Sequence, residues 1–244
     1  MECEIVIREA KPEDTAARAQ LIERGISSYD RDAFCFFILQ ELMLQVSVLA
    51  AAVLFIFGGL SPAACALVPL ALVAVVALIV CATHRIAAKA AAARLRSELA
   101  GFVAELHGPL GAERHATAAR VLHAREGRGG EVGAGFGRLV GTVSVSEHNG
   151  AHRCGWLHGL AVDVRWRRRG VGGALLDAAR GGAAGAGLRS LELATSALQS
   201  RATALLHASG WQVRTAYHRR LAGEALTLPM LLMRLDLDSP RAHT

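Results

Sequence analysis

The spacing of apolar residues along this chain alternates between a strand pattern and a helix pattern. Apolar residues at every second position predict strands, and apolar residues three and four positions apart predict helices. The predicted strands are Glu4–Arg8, Ala119–Ala124, Arg138–Val145, Leu188–Thr195 and Met230–Leu237, with two more that begin at Trp156 and Trp211. The predicted helices run from Pro12 to about Arg24, where Gly25 ends the first, and over Ala87–Leu106, Ser200–Ala208 and the segment after Gly173. This order predicts an α/β fold with a mixed sheet.

Two neighbouring predicted strands, Ala119–Ala124 and Arg138–Val145, are expected to pair as a hairpin beside the strand that begins at Trp156. The stretch between them, from Gly127 to Gly137, contains six glycines and predicts a flexible connection. No predicted helix follows these glycines, so we interpret them as a loop rather than as a phosphate site.

A long apolar run interrupts this pattern in the first third of the chain. The 41 residues from Leu42 to Ala82 contain no Asp, Glu, Lys, Arg or His. As a single helix the run would be about 60 Å long, twice the ~30 Å hydrocarbon core of a bilayer. Because Gly58, Gly59 and Pro62 lie near its middle, the run predicts a transmembrane helical hairpin. A single span beside a buried helix is the alternative.

The two predicted spans cover about Leu39–Phe57, with a possible start nearer Phe34, and Ala63–Ala82. Basic residues flank the run on both sides, at Arg24, Arg31, His84, Arg85, Lys89, Arg94 and Arg96. A hairpin places both flanks on the same side of the membrane, and the positive-inside rule makes that side cytosolic.

The composition is compatible with a membrane segment and with an anionic ligand. Hydrophobic residues make up 52% of the chain, and the mean hydropathy is +0.33. The net charge of +6 suits an anionic membrane surface or an anionic cofactor and does not choose between them. The five cysteines form no C-x-x-C pair, so the sequence predicts neither a disulfide framework nor a metal site. We expect no signal peptide and no retention signal in the tail.

The strongest chemical signal is the stretch from Trp156 to Arg180. A predicted apolar strand leads into a basic run, and Gly170, Gly172 and Gly173 follow at the start of a predicted helix. The first N–H groups of a helix have no partner inside it and carry partial positive charge. Glycines let an anion approach the backbone, and arginines attract it. The stretch therefore predicts a pyrophosphate-binding turn.

Other interpretations of these glycines and arginines are a surface turn with solvated charges or a nucleic-acid patch. The second is weak, because the basic run is short and lacks interleaved aromatic residues. The dinucleotide pattern G-x-G-x-x-G fails because Leu175 occupies its third glycine position. The P-loop pattern fails because no Lys followed by Ser or Thr comes after the glycines.

The run Arg167-Arg168-Arg169-Gly170-Val171-Gly172 resembles the acyl-CoA pyrophosphate loop of the GNAT acetyltransferases, whose pattern is Arg or Gln, two residues, Gly, one residue, Gly or Ala. The preceding Leu160-Ala161-Val162-Asp163 is similar to the strand that this family places before the loop. The resemblance implies a GNAT acyl-CoA N-acyltransferase fold with acetyl-CoA as the acetyl donor. It implies that the donor is bound by Leu160, Ala161, Val162, Arg167, Arg168, Arg169, Gly170, Val171, Gly172, Gly173 and Ala174.

An apolar insert after the first helix makes the chain similar to the camello-type membrane N-acetyltransferases, which include cysteine-S-conjugate and endoplasmic-reticulum lysine acetyltransferases. Leu193-Ala194-Thr195, Gln199 and Gly210-Trp211 resemble a second block of that family in spacing. The resemblance implies an enzyme anchored in the endoplasmic-reticulum membrane, and the positive-inside rule predicts that its catalytic domain is cytosolic. Its expected partners are acetyl-CoA, an amine acceptor and the lipid bilayer, and no nucleic acid.

The implied chemistry is direct attack of a neutral amine on the thioester, with the backbone N–H of Val162 stabilising the oxyanion. The strands around Leu160–Val162 and Leu191–Thr195 are expected to splay for the pantetheine arm. His158 is a candidate general base, since counting in twos places it on the strand face of Leu160 and Val162. A structural or solvated histidine is the alternative.

Many family members place a Tyr four residues before the glycine of the last motif, to protonate the leaving thiolate. This chain has Leu206 there, and Tyr217 or water would have to substitute. We expect L206Y to preserve or raise turnover if the residue faces the thioester.

The predicted organisation is the first strand and helix at 1–33, the transmembrane hairpin at 34–84, connecting helices at 85–118, the catalytic core at 119–237 and a tail at 238–244. Two other functions stay open. Leu206 is compatible with a catalytically weak acyl-CoA-binding membrane scaffold, whereas the apolar run argues against a basic nucleic-acid-binding module.

Overall fold

A computed structural model describes residues 2–39, 41–59, 61–107, 118–123, 137–148, 153–222 and 226–237. These residues form an eight-stranded mixed sheet in the order β3-β1-β2-β4-β5-β6-β8-β7, which confirms the predicted α/β class. The strands are β1 (Glu2–Glu9), β2 (Ala100–His107), β3 (Ala118–His123), β4 (Arg138–Glu147), β5 (Cys154–Val162), β6 (Ser190–Ser196), β7 (Gln212–Ala222) and β8 (Leu226–Asp236). The helices are α1 (Thr15–Ser27), α2 (Asp30–Ile38), α3 (Glu41–Ile56), α4 (Pro62–Cys65), α5 (Leu67–Ala93), α6 (Val171–Gly185) and α7 (Ser200–Ala208).

The two faces of the sheet carry separate cores. On one face α6 and α7 cover the main core, where Val143, Leu175 and Leu191 are fully buried. On the other face α1 and the end of α5 cover a smaller core that includes Ile22 and Ala161. The sheet therefore separates the helix that follows the glycine loop from the helices that flank the apolar run.

The predicted helix over Ala87–Leu106 is wrong beyond Ala93. The helix α5 ends there, and after a short 3₁₀ turn Ala100–His107 form β2, between β1 and β4. Phe102, Ala104 and Leu106 enter the main core at every second position, so strand packing overrides the helix preference of the alanines. The segment predicted as connecting helices thus contributes a central strand.

The predicted hairpin between the second and third sequence-predicted strands is also wrong. β3 lies at the edge of the sheet and runs parallel to β1, with Val121 opposite Ile5. β4 instead lies between β2 and β5 and is antiparallel to both. The glycine-rich connection between β3 and β4 lies outside the described residues, apart from Gly137.

Gly25 does not end the first helix, as its sequence position suggested. The helix α1 continues to Ser27, and a Cβ placed on Gly25 would lie 3.2 Å from the Cβ of Ala161. The glycine therefore permits α1 to pack closely on β5, one residue from the end of that strand.

The uncharged run forms α3, α4 and most of α5. The helix α3 packs against α5, and Phe37, Met43, Val76 and Val80 are buried at the base of this pair. Away from that contact the apolar side chains are exposed, for example Ile56 by 68% and Leu78 by 71%. Within the described residues, neither α3 nor α5 is the buried core helix of the alternative interpretation.

Among the described residues, one helical run, Pro62–Ser97, has the length and apolar composition to cross a bilayer. Only 11% of its most apolar stretch of 18 residues is buried. A second candidate exists only if Pro12–Ile38 and Met43–Ile56, which are bent by 58° at a break, count as one span.

Candidate active site

β5 and β6 run side by side for only part of their length. Cys154, Gly155 and Trp156 pair with Ser190–Glu192, and the pairing ends there. Beyond these residues the two parallel strands separate and leave a gap in the middle of the sheet. The predicted splaying therefore begins at Leu193, later than the Leu191 of the prediction, because Leu191 still lies opposite Gly155.

A β-bulge interrupts β5 within this gap. Between the pairs Thr142–Ala161 and Ser144–His158, β5 contributes one residue more than β4. Gly159 has φ +64°, the left-handed conformation that a bulge of this kind favours. The extra residue shifts the alternation of side chains along the rest of β5.

His158 lies on the sheet face covered by α1 and α5, with its Nε2 2.7 Å from Ser146 Oγ. Its Nδ1 is buried and has no hydrogen-bond partner among the described residues. Burial, followed by the charge of Arg94, lowers the pKa of His158 to about 4, so the ring is neutral at pH 7. Leu160 and Val162 pack on the main core instead. The prediction that His158 shares their face was wrong, because the bulge reverses the alternation.

The backbone of Val162 points into the gap. The N–H of Asp163 donates to the carbonyl of Val140 at 2.8 Å, which makes these two residues a hydrogen-bonded pair of the antiparallel ladder. The next pair, Gly141 and Val162, is then a non-hydrogen-bonded pair. The N–H and C=O groups of Val162 therefore point away from β4 and toward β6. A donor at this place suits a developing oxyanion.

The N-terminus of α6 follows the end of β5 and is open. Gly170 caps the helix with φ +80°, and a Cβ placed on it would meet no atom within 4 Å. The N–H groups of Val171, Gly172 and Gly173 are in the first turn and have no acceptor within the helix. The N–H of Ala174 donates to the Gly170 carbonyl at 3.0 Å, so this donor is already used. The other three suit a phosphate group.

Arg167 turns inward from the basic run. Its Nε donates to the carbonyl of Val162 at 3.0 Å, and its Nη2 donates to Ser28 Oγ at 3.1 Å. Its guanidinium carbon also lies 5.9 Å from the ring centroid of Tyr29. The side chain therefore joins the end of β5 to the connection between α1 and α2.

The two arginines that follow have different surroundings. Arg168 is exposed and has a positive φ of 65°. The guanidinium of Arg169 lies over the ring of Trp166, 4.7 Å from its centroid. Among the three arginines of the predicted loop, Arg168 is the one directed most fully to solvent at the N-terminus of α6.

Leu206, at the position where the sequence resemblance implied an acid, belongs to the main core and is 2% exposed. A larger side chain there would displace packed neighbours. Tyr217, the other candidate acid, is 40% exposed on β7 at the edge of the sheet, opposite Met230. The structure therefore does not bring these two residues together.

Sequence reasoning missed a buried ionic cluster at the point where β5 and β6 separate. Glu192 lies opposite Trp156 and is 3% exposed. It accepts hydrogen bonds from Arg214 and, at 3.4 Å, from Arg234, and the Nε2 of His148 lies 3.8 Å from it. The sequence contained one signal of this cluster: Glu192 lies between Leu191 and Leu193 in a strand that was predicted to be apolar. A carboxylate that is buried in such a strand requires hydrogen-bonding or charged partners.

Residues 91–211 match the model of a family described as Acetyltransferase (GNAT) family. The matched segment begins near the end of α5, includes the gap and α6, and ends just after α7. No curated protein matches the chain.

Several solved structures are similar to the chain at low identity. The yncA protein from Salmonella typhimurium, solved with its cofactor acetyl-CoA, has a TM-score of 0.49 and 13% identity over 98% of both chains. The ribosomal-protein-S18-alanine N-acetyltransferase from Escherichia coli has a TM-score of 0.39 and 16% identity over 61% of this chain and 74% of its own. An acetyltransferase from Bacillus subtilis in complex with CoA has a TM-score of 0.39 and 13% identity over 59% and 80%.

Proposed function

We propose that this chain, whose residues 91–211 match the GNAT family model, is a membrane-anchored enzyme that transfers acetyl from acetyl-CoA to an amine. The observation that carries this proposal is the gap between β5 and β6, which leads to the open, glycine-capped N-terminus of α6. A long thin thioester arm fits such a gap, and the pyrophosphate at its other end fits the helix N-terminus.

The residues of the gap supply positioning and electrostatic stabilisation. The N–H groups of Val171, Gly172 and Gly173 hold the pyrophosphate, and the N–H of Val162 stabilises the oxyanion as the amine nitrogen bonds to the acetyl carbon. The C–S bond then breaks, and the amine loses a proton. A thiol with a pKa near 8.5 is a good leaving group, so a weak acid or water suffices to protonate it.

The proposed acceptor is a cysteine S-conjugate, a protein lysine or another small amine, as in the camello-type enzymes that the sequence resembles. The full chain in detergent is incubated with acetyl-CoA and either S-benzyl-L-cysteine or a lysine peptide. Release of free CoA is followed, and the acetylated amine is identified by mass spectrometry. Amine-dependent release supports the proposal. Absence of acetylated product with all amines, from folded protein, contradicts it.

The anchoring part of the proposal rests on α3 and α5. The helical run that begins at Pro62 has 21 uncharged residues up to Ala82, about 31 Å and enough to cross a ~30 Å hydrocarbon core, whereas the 16 residues of α3 reach only about 24 Å. The second span would therefore need the residues of the turn that follows α3 as well. The exposed apolar side chains of both helices favour a lipid environment.

We propose the endoplasmic-reticulum membrane as the location, with both termini and the sheet domain in the cytosol, because the basic flanks adjoin α1 and the end of α5. Tags at the two termini should be digested by protease added to intact microsomes, and the protein should resist carbonate extraction. A soluble protein, or a protected C-terminal tag, would refute this arrangement.

A catalytically weak acyl-CoA-binding scaffold is the second candidate, favoured by the buried Leu206 in place of an acid. It predicts acetyl-CoA binding without amine-dependent CoA release in the same assay.

A further inference from the structure

We propose that Arg167 is a positioning residue, not a phosphate ligand. By holding the carbonyl of Val162 and the hydroxyl of Ser28, it aims the Val162 N–H into the gap and ties the reaction centre to the start of the apolar insert. This inference rests on the proposed function.

Two of the five N–H donors of Arg167, on the Nε–Nη2 edge of its guanidinium, are committed to the protein. The Nε reaches the Val162 carbonyl at 3.0 Å and the Nη2 reaches Ser28 Oγ at 3.1 Å. Ser28 Oγ in turn donates to the Gly25 carbonyl at 2.7 Å, so its lone pairs face the guanidinium. To bind a phosphate through this edge, Arg167 would have to release these contacts, whereas exposed Arg168 would not.

The hydrogen bond from Arg167 to the Val162 carbonyl also affects the Val162 N–H, because both groups belong to the backbone of one residue. Val162 is the last residue of β5 and faces a gap instead of a neighbouring strand, so no ladder bond fixes its N–H and C=O on that side. Within one extended residue these two groups point the same way. A side-chain donor on the carbonyl therefore orients the N–H as well.

The bond to Ser28 extends the same contact to the insert. Ser28 and Tyr29 form the connection between α1 and α2, and the next residue, Asp30, is hydrogen-bonded to His84 of α5. Close packing of Gly25 on Ala161 fixes this connection against the end of β5. The packing of α2 against α5 thus determines the position of Ser28 Oγ, which accepts the hydrogen bond from Arg167.

The test compares four variants of the full chain: R167Q, R167M, S28A and R168M. In glutamine the side-chain nitrogen occupies the place of the arginine Nε, so R167Q can keep the bond to Val162 and loses only that to Ser28. In R167M the side chain extends to the position of the arginine Nε but has no donor, so the hydrogen bonds to Val162 and to Ser28 are both lost. R168M removes a charge of the same run that has no such contact with Val162, and serves as the matched control.

Acetyl-CoA Kd is measured by calorimetry, and kcat by CoA release with S-benzyl-L-cysteine or the lysine peptide, whichever the wild type acetylates. We expect R167M to lower kcat about tenfold or more, short of the 10²–10³-fold loss of a whole oxyanion donor. Its Kd should stay within about threefold, as should that of R167Q. R167Q and S28A should keep most of kcat, whereas R168M should raise Kd.

The inference is overturned if R167M raises Kd as R168M does while kcat at saturation holds, or if R167Q is as slow as R167M. If R167M does not fold by circular dichroism, R167Q decides alone: a Kd near that of the wild type supports the positioning role, and a tenfold rise overturns it. A wild-type protein without acetyl transfer refutes the proposed function instead, so the two failures are distinguishable.

Discussion

The sheet domain and the helical insert contain similar apolar side chains in opposite surroundings. In the sheet domain Leu175 and Leu191 are fully buried, whereas in the insert Ile56 and Leu78 are 68% and 71% exposed. An apolar surface of this extent is stable only when another apolar phase covers it. The comparison teaches that the two regions are built for different solvents. The sheet domain buries its apolar side chains in its own core, whereas the helical insert requires an apolar surrounding, for which we propose the bilayer.

The largest expected effect comes from a charge at the centre of the uncharged part of α5. Val75 is 51% exposed, so V75R would cost at most about 0.5 kcal/mol if water surrounded this face. In a bilayer the same change costs about 2.5–3.5 kcal/mol, roughly a hundredfold in insertion. We expect V75R to lose carbonate-resistant membrane association.

The matched control for V75R is I86R. Ile86 is 68% exposed on the same helix but lies beyond His84 and Arg85, outside the uncharged run. I86R should associate with membranes like the wild type. Equal association of V75R, I86R and the wild type would show that the uncharged part of α5 is not in lipid.

Within the sheet domain, L206Y tests whether position 206 belongs to the core or to the gap. Because Leu206 is 2% exposed in the main core, we now expect overpacking that costs about 1–3 kcal/mol. Tm in thermal melts should fall, and turnover with it. An unchanged Tm with equal or higher turnover would restore the expectation from the sequence that this residue faces the thioester.

G170V tests the pyrophosphate site itself. A β-branched residue is strained at φ +80° and fills the open space above the helix N-terminus. Loss of one charge-assisted hydrogen bond costs about 1.5–3 kcal/mol, so the Kd for acetyl-CoA should rise about tenfold or more. G181A, at an open position within α6, should leave Kd unchanged. Equal affinity of folded G170V and the wild type would contradict the site.

The smallest effect concerns His158 and pH. Its pKa of about 4 in the folded protein lies below the ordinary value of 6.5. The neutral ring therefore contributes stability that is complete above about pH 6.5 and is lost as the pH falls toward 4. Glutamine stays neutral and can still bond Ser146. We expect H158Q to lose less Tm than the wild type between pH 7 and 5, and parallel curves would show that folding does not lower the pKa of His158.

The sequence predicted the strand, glycine turn and helix around Gly170 because each has a local cause: alternation, turn residues and an apolar helix face. It did not predict β2, since the packing of Phe102 and Leu106 against distant strands outweighs a local preference for helix. The edge position of β3 depends on pairing across more than a hundred residues, which no local pattern encodes.

The candidate site was predictable as a set of residues but not as a set of contacts. The bulge at Gly159 gives no distinct signal in a glycine-rich chain, so His158 was assigned to the wrong face. The inward turn of Arg167 depends on Ser28, which is far away in sequence. Proximity of this kind exists only once α1 has packed on β5.

The most direct test of the central claim is acetyl transfer by the full chain in lipid nanodiscs, measured as the acetylated amine formed from labelled acetyl-CoA. We predict amine-dependent product with the wild type, and product reduced about tenfold or more by G170V at acetyl-CoA concentrations below Kd. Folded wild-type protein that binds acetyl-CoA but forms no acetylated amine, or G170V that forms as much as the wild type, would contradict the claim.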